Sequence, residues 1–219
     1  MEIKTISLDL PLRMGRVNCY LLKSGDNFVL LDTGGPNQGA ALERELERAG
    51  CRLGNLKLII LTHGDFDHCG NAVSLRQKYD TKIAMHAGDS GMVEGGDMFY
   101  NRKKGNMFLR WLVPIFFGFG KERRFEPDLW LEDGDDLSEY GLEAQVLSLP
   151  GHSSGSLGIL TPAGDLFCGD LLSNTDQPGL SSIMDDLDAA RASLERLQGL
   201  GVKTVYPGHG RPFEMQALT

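Results

Sequence analysis

Four of the five histidines in the sequence lie in short loops that directly follow strand-like apolar runs. They are His63, His68, His152 and His209. Asp170 follows such a run in the same way, in the sequence FCGD. Because α/β folds assemble their sites in the loops beyond the carboxyl ends of strands, we expect these side chains to meet. Imidazole and carboxylate groups hold zinc, iron and manganese, so the pattern predicts a metal site.

The first loop, THGDFDHCGN, carries several candidate ligands at close spacing. Alternate residues of a tight loop, His63 and Asp65, can turn toward one metal ion, while the adjacent Asp67 and His68 can face a second. Paired metal ions about 3.5–4 Å apart serve in many metal-dependent hydrolases. The chain offers seven candidate ligands for such a pair, namely His63, Asp65, Asp67, His68, His152, Asp170 and His209.

The elements that must position these residues alternate between strands and helices. The predicted strands are 2–10, 17–24, 27–32, 56–62, 81–86, 142–150, 156–161, 165–170 and the run VKTVYP before His209. Helical spacing of apolar residues predicts helices over 37–49 and 185–198, and a further helix that ends near Tyr79. The two halves therefore resemble related α/β units, which favours a single domain.

The composition limits the class of protein. The chain has 219 residues, of which 41% are hydrophobic, so it can bury a core. A formal net charge of −8 argues against a general nucleic-acid binder. Four cysteines without a CxxC pair suit a reducing compartment. The longest apolar stretch, 111–120, is shorter than the roughly 20 residues of a membrane span. We therefore expect a cytoplasmic protein with no stable membrane span.

The segment 97–125 differs in composition from the rest of the chain. It holds seven basic residues against two acidic ones, and eight of the 17 aromatic residues. We interpret it as an insertion in a single domain that spans 1–219. A helical cap on the core is one interpretation of this segment. A substrate-binding lid or a homodimer surface is the other, because aromatic and basic side chains suit a small ligand with an apolar body and an anionic group.

Five motifs, in this order, carry a resemblance to a known family. They are LLDTGG at 30–35, THGDFDH at 62–68, PGHSSGS at 150–156, FCGD at 167–170 and YPGHG at 206–210. With these motifs the sequence resembles the metal-dependent hydrolases of the metallo-β-lactamase fold. The resemblance covers about four-fifths of the chain and leaves out the 97–125 segment. It implies an α/β fold of four layers, the αββα sandwich.

The resemblance also implies roles for the candidate residues. One metal ion would be held by His63, position 65 and His152, and a second by Asp67, His68 and His209, with Asp170 bridging the two. Asp32 would orient the histidine loop from behind. The expected cofactor is a pair of divalent ions, with zinc foremost. The implied reaction is hydrolysis of a small ester, thioester, lactone or phosphodiester by a metal-bound hydroxide, and Asp67 would orient this nucleophile or accept its proton.

One position departs from the family pattern. The family usually has histidine where this chain has Asp65, so the motif reads HxDxDH in place of HxHxDH. His63, Asp65 and His152 would form a set of two histidines and one carboxylate, which non-haem iron favours. Iron or manganese therefore stays open beside zinc. The alternative function is a non-haem iron redox enzyme, of the oxygenase or oxygen reductase type, that uses the same site.

Overall fold

A computed structural model describes residues 1–11, 14–103 and 120–218. These residues form fourteen strands and five α-helices. The strands are β1 (Glu2–Asp9), β2 (Arg16–Ser24), β3 (Asn27–Leu31), β4 (Leu56–Ile60), β5 (Lys82–Met85), β6 (Leu129–Trp130), β7 (Gln145–Ser148), β8 (Leu157–Leu160), β9 (Asp165–Phe167), β10 (Leu172–Asn174), β11 (Gly179–Leu180), β12 (Thr204–Tyr206), β13 (His209–Gly210) and β14 (Phe213–Glu214). The helices are α1 (Gly39–Ala49), α2 (Phe66–Cys69), α3 (Ala72–Tyr79), α4 (Ser90–Gly95) and α5 (Leu187–Gln198).

Two main sheets organise these strands. The first has six strands in the order β1-β2-β3-β4-β5-β6, of which β1, β2 and β3 pair antiparallel and the later neighbours pair parallel. The second has five strands in the order β14-β12-β9-β8-β7. A small third sheet, β11-β10-β13, follows the carboxyl ends of β9 and β12.

Alternating side chains build separate cores on the two faces of each sheet. On β2, Tyr20 and Leu22 point between the sheets and pack in one cluster with Phe167 of β9. Cys19 and Leu21 point to the opposite face and pack in the cluster that contains residues of α1 and α3. The outer face of the second sheet packs in the same way against α5. The order of layers is therefore helices, sheet, sheet, helix, and the predicted αββα sandwich is confirmed.

Some predicted elements differ from the observed ones. The predicted strand 142–150 shrinks to β7, because Gly141 turns the chain with a φ of 79° and the backbone N–H of Leu137 donates to the carbonyl of Ala144. Residues 142–144 thus close a loop instead of extending the ladder with β8. The short helix α4 and the three-stranded sheet were not predicted, since neither is long enough to show a periodic pattern.

The predicted insertion 97–125 is described only in its first seven and last six residues, because 104–119 lie outside the described residues. Its role as an insertion, the single-domain organisation and the homodimer therefore stay predictions. All four cysteines are buried and free. In the described ranges, no helix is long and apolar enough to cross a membrane.

A charged pair joins the outer helix layer to the second sheet. Arg196 of α5 donates to both carboxylate oxygens of Asp133, at 2.7 and 2.9 Å. The same carboxylate accepts a hydrogen bond from the backbone N–H of Ser148 in β7 at 2.8 Å. The hydrogen bond from Arg196 lowers the pKa of Asp133 below its ordinary value.

Substitution of this arginine should weaken the fold in a pH-dependent way. We expect Arg196→Met to lower the free energy of unfolding by about 0.5–1 kcal/mol at pH 7, because both side chains are partly exposed. A depressed carboxyl pKa contributes stability above its unfolded value of about 4, and this contribution is lost as the pH falls through the folded value. Urea unfolding at pH 7 and about pH 3 should therefore show a smaller difference at the lower pH. The control is Arg191→Met, on the same helix beside the exposed Asp188. If Arg196→Met lowered the free energy of unfolding equally at both pH values, this account would be contradicted.

Candidate metal centre

Six side chains from both sheets gather at one edge of the sandwich. Three follow β4 of the first sheet or lie on α2. Two come from loops after β7 and β9 of the second sheet, and the last lies on β13, just after β12. They are His63, Asp67, His68, His152, Asp170 and His209. The structure therefore gathers into one cluster six of the seven residues that the sequence singled out, although the first and the last are 146 positions apart in the chain.

Each of the four imidazoles is held at its Nδ1 atom by an oxygen atom of the surrounding fold. Because these partners accept a hydrogen bond, they place a proton on Nδ1 and leave the Nε2 atom facing the centre of the cluster. The four contacts are His63 with Thr62 Oγ1 at 2.9 Å, His68 with Asp32 Oδ2 at 2.8 Å, His152 with the Ile183 carbonyl at 2.8 Å and His209 with the Arg16 carbonyl at 2.7 Å.

Asp32 holds two of these histidines at once. It follows β3 and has a φ of 60°, a left-handed conformation that is uncommon for a residue with a side chain. Its Oδ1 atom accepts a hydrogen bond from the Thr62 backbone N–H. Its Oδ2 atom accepts one from Thr62 Oγ1 and one from His68 Nδ1. All three bonds are 2.8 Å long. Thr62 Oγ1 thus donates to Asp32 and accepts from His63. Asp32 lies behind the histidine loop and ties its backbone to the end of β3.

Some of the atoms that face the centre of the cluster have no ordinary partner. His63 Nε2, His68 Nε2 and Asp170 Oδ1 are buried and have no hydrogen-bond partner among the described residues. Leaving such an atom unpaired costs about 1–3 kcal/mol, so each needs a physical explanation. A metal ion explains all three, because neutral imidazole and carboxylate are ligands of zinc, iron and manganese.

The ligand atoms form two groups, and within each group they lie within 4.8 Å of one another. The first group is His63, His152 and Asp170, and the second is Asp67, His68 and His209. Asp170 also lies close to the second group, since its oxygens are 3.4 Å from His68 Nε2 and 3.3 Å from His209 Nε2. One carboxylate thus stands between the two groups.

In the metal-free protein, protons on the histidines balance the negative charges of the aspartates in the cluster. Burial lowers the pKa of His68, but Asp170, Asp32 and Asp67 outweigh burial and raise it to about 9. Burial also lowers the pKa of His209, but Asp170 and Asp67 outweigh burial and raise this pKa to about 11. Both rings therefore carry an extra proton at neutral pH, and a divalent cation would replace these protons.

Asp65 lies at the rim of the first group. Its Oδ2 atom is 2.9 Å from His152 Nε2 and 3.6 Å from His63 Nε2, while its Oδ1 atom accepts a hydrogen bond from Arg102 Nη2 at 2.6 Å. Burial raises the pKa of Asp65, but Arg102 and the two histidines hold it well below its ordinary value. Asp65 is therefore ionised, and Asp170 is the carboxylate that completes the first group.

Sequence reasoning missed Asp89, which joins the loops of two site histidines. This fully buried carboxylate accepts hydrogen bonds from the Gly155 backbone N–H at 2.8 Å and from Ser153 Oγ at 2.6 Å. It also accepts one from the Gly64 backbone N–H at 3.2 Å. Its only sequence signal is its place after a strand, in MHAGD, where His86 caps the following turn and lies outside the cluster.

Sequence reasoning also missed the residues that hold the His209 loop. Asn18 Nδ2 donates to the Pro207 carbonyl at 3.1 Å, and Tyr20 Oη donates to the same carbonyl at 2.6 Å. The loop then passes so close to the cluster that a Cβ atom on Gly208 would collide with Asp170 Oδ1 and come within 2.8 Å of His68 Cε1. Contacts this distant along the chain leave no local pattern in the sequence.

Removing the Asp89 carboxylate should destabilise the site and the fold together. We expect Asp89→Ala to lower the free energy of unfolding by about 2–3 kcal/mol, because three buried donors lose their acceptor. Denaturant unfolding measures this loss. Glu143→Ala, which removes an exposed carboxylate, is the control and should change stability by less than about 0.5 kcal/mol. Equal effects of the two substitutions would show that Asp89 does not join the loops.

The geometry agrees with comparisons to known proteins. The chain is 28% identical to the hydroxyacylglutathione hydrolase GloC of Haemophilus influenzae over 74% of its own length and 70% of that protein. It is 26% identical to the human acyl-coenzyme A thioesterase MBLAC2, over 93% of this chain and 76% of that one. The solved structure of TTHA1623 in a di-iron-bound form is 31% identical, with a TM-score of 0.71 and coverage of 98% and 96% of the two chains. The metallo-beta-lactamase superfamily matches residues 12–209. The chain is therefore a metallo-hydrolase that belongs to the metallo-beta-lactamase superfamily.

Proposed function

We propose that the chain hydrolyses a small molecule at a dinuclear metal site built from the cluster described above. With Asp65 at the rim of the cluster, His63, His152 and Asp65 would hold the first ion. Asp67, His68 and His209 would hold the second, and Asp170 would lie between the two groups. The observation that carries this proposal is the set of buried atoms without partners, namely Nε2 of His63, Nε2 of His68 and Oδ1 of Asp170. Each faces the same small volume, and each is a metal ligand when unprotonated.

Bound divalent ions supply two things to a hydrolysis, an activated water molecule at neutral pH and polarisation of the scissile oxygen. The protein contributes the positions of the groups around them. We expect Asp67 to orient the attacking water molecule or accept its proton, because the Oδ2 atom of Asp67 lies 3.4 Å from His209 Nε2 and 4.0 Å from His68 Nε2. A carboxylate in that place accepts a hydrogen bond from water and orients it. Asp32 acts indirectly, by fixing the ring of His68.

The substrate class is a small ester, thioester, lactone or phosphodiester. Two of its relatives are named as a hydroxyacylglutathione hydrolase and an acyl-coenzyme A thioesterase, which favours thioesters as the first class to assay. Zinc is the metal we expect, and a cytoplasmic location suits the four free thiols.

A second function, a non-haem iron redox enzyme, is favoured by two specific observations. Asp65 adds a carboxylate beside two histidines, which is the ligand type of non-haem iron. A relative of 31% identity has been solved in a di-iron-bound form. Oxygen consumption by the iron-loaded protein, without a hydrolytic product, would support this function over hydrolysis.

Metal content tests the proposed ligands. Protein purified without added metal or chelator should contain about two divalent ions per chain, measured by elemental analysis. His152→Ala and His209→Ala should each lower this number by about one, because each removes a ligand of one group. His86→Ala, which removes a histidine outside the cluster, should leave it unchanged. Less than half an ion per chain in the unaltered protein, with none regained on adding zinc, iron or manganese, would contradict the dinuclear site.

Metal affinity should rise with pH. The metal-free protein holds protons on His68 and His209, whose pKa values of about 9 and 11 lie above neutral, and an ion must displace them. At pH 7 we expect binding to release about two protons, so that affinity rises steeply between pH 6.5 and 8.5. Calorimetry of zinc binding in buffers of different ionisation enthalpy measures the protons released. Affinity that does not change across this range would show that these histidines do not face the metal.

A further inference from the structure

Three consecutive residues at the start of the 97–125 segment contact the loops around the metal centre. Asn101 Nδ2 donates to Ser154 Oγ at 3.3 Å, and Lys103 Nζ lies 2.5 Å from Asp186 Oδ2. These two contacts are on the surface. Between them, Arg102 turns inward, where only 7% of its side chain is exposed, and its guanidinium reaches Asp65. The basic segment therefore places one buried cation at the metal centre.

The two oxygens of Asp65 are divided between this cation and the histidines. Oδ1 accepts the hydrogen bond from Arg102 Nη2, and Oδ2 faces the Nε2 atoms of His63 and His152. The pairing with Arg102 thus occupies Oδ1 and leaves Oδ2 on the side of the histidines, 2.9 Å from His152 Nε2. It also fixes the rotation of the carboxylate, because turning Oδ2 away from the histidines would break a hydrogen bond of 2.6 Å between buried groups.

The charges of the pair explain how a carboxylate replaces a histidine at this position. A neutral histidine adds no charge to a metal site, whereas Asp65 alone would add one negative charge to those of Asp67 and Asp170. Arg102 is always protonated and cancels that charge within hydrogen-bond distance. Asp65 and Arg102 together therefore present a ligand atom without changing the net charge of the centre.

We propose that Arg102 is a positioning residue for the first metal ion, and that it holds the Asp65 carboxylate and neutralises it so that the pair acts as one neutral ligand. This inference rests on the proposed function, since it assumes that the cluster binds metal. The start of the 97–125 segment would then contribute to metal binding through Arg102. A purely structural bridge, such as the one between Lys103 and Asp186, would instead tie down the segment without affecting metal binding.

The test is a double-substitution cycle with zinc alone as the probe. Zinc affinity of the metal-free protein is measured by competition with a chromophoric chelator, for the unaltered chain, Asp65→His, Arg102→Met and the double variant. With Arg102 present, Asp65→His leaves a buried cation unpaired beside the ion, and we expect zinc affinity to fall by about tenfold or more. With Arg102→Met in the same chain, histidine supplies a neutral ligand and the affinity should return to within about threefold of the starting value.

Control variants test whether the charge of Arg102, and not a nearby surface charge or a loss of folding, causes the change in zinc affinity. Lys103→Met combined with Asp65→His should restore nothing, because Lys103 is 71% exposed and lies on Asp186. Circular dichroism and thermal melting of the metal-free variants confirm that each chain is folded before titration. Arg102→Gln replaces Arg102→Met if the latter unfolds, because glutamine also removes the charge, and the same restoration is expected. An equal loss of affinity from Asp65→His with and without Arg102 overturns the inference. Absence of zinc binding in the unaltered chain overturns the proposed function instead.

Discussion

Everything at the metal centre depends on the hydrogen bonds that hold the Nδ1 atoms of four imidazoles. Unheld rings would rotate, and the Nε2 atoms would point toward whatever proton donor or water lay nearest. The fold removes this freedom with oxygens from four separate places, two of them main-chain carbonyls. The fold alone thus sets the positions of the candidate ligand atoms, and folding supplies the free energy needed to bring them together. This arrangement is preorganisation in its physical sense, since binding need not order the ligands.

The two sheets contribute equally to the centre, and this makes the sandwich and the site mutually dependent. Three candidate ligand side chains come after β4 of one sheet and three come after β7, β9 and β12 of the other, so their separation is set by the packing of Tyr20, Phe167 and their neighbours between the layers. Side chains of that size leave little freedom in the distance between sheets. An ion held across both sheets would in turn resist their separation, which links metal binding to the stability of the fold.

The sequence predicted what is local and failed where contacts are distant along the chain. The histidines and Asp170 were found because each follows an apolar strand, and a strand ending in a polar loop is visible in a few residues. Arg102 carries no such pattern, and Asp89 has only its place after a strand. A carboxylate or a guanidinium is ordinarily exposed, so only packing shows that these two are buried. The strand predicted over 142–150 was too long because the backbone bond that ends it joins residues on either side of a turn. The layers were predicted through the resemblance, whereas the small third sheet has strands of only two or three residues.

Gly208 has a consequence for how mutational data on this chain should be interpreted. Its backbone passes so near Asp170 and His68 that there is no room for even one additional carbon atom. A saturation scan would therefore score every replacement at this position as inactivating, although the residue contributes no group to the chemistry. An unaided scan would classify it with the catalytic residues. A residue whose backbone lies against a site can thus tolerate as little change as a residue that acts in it, and the structure distinguishes the two.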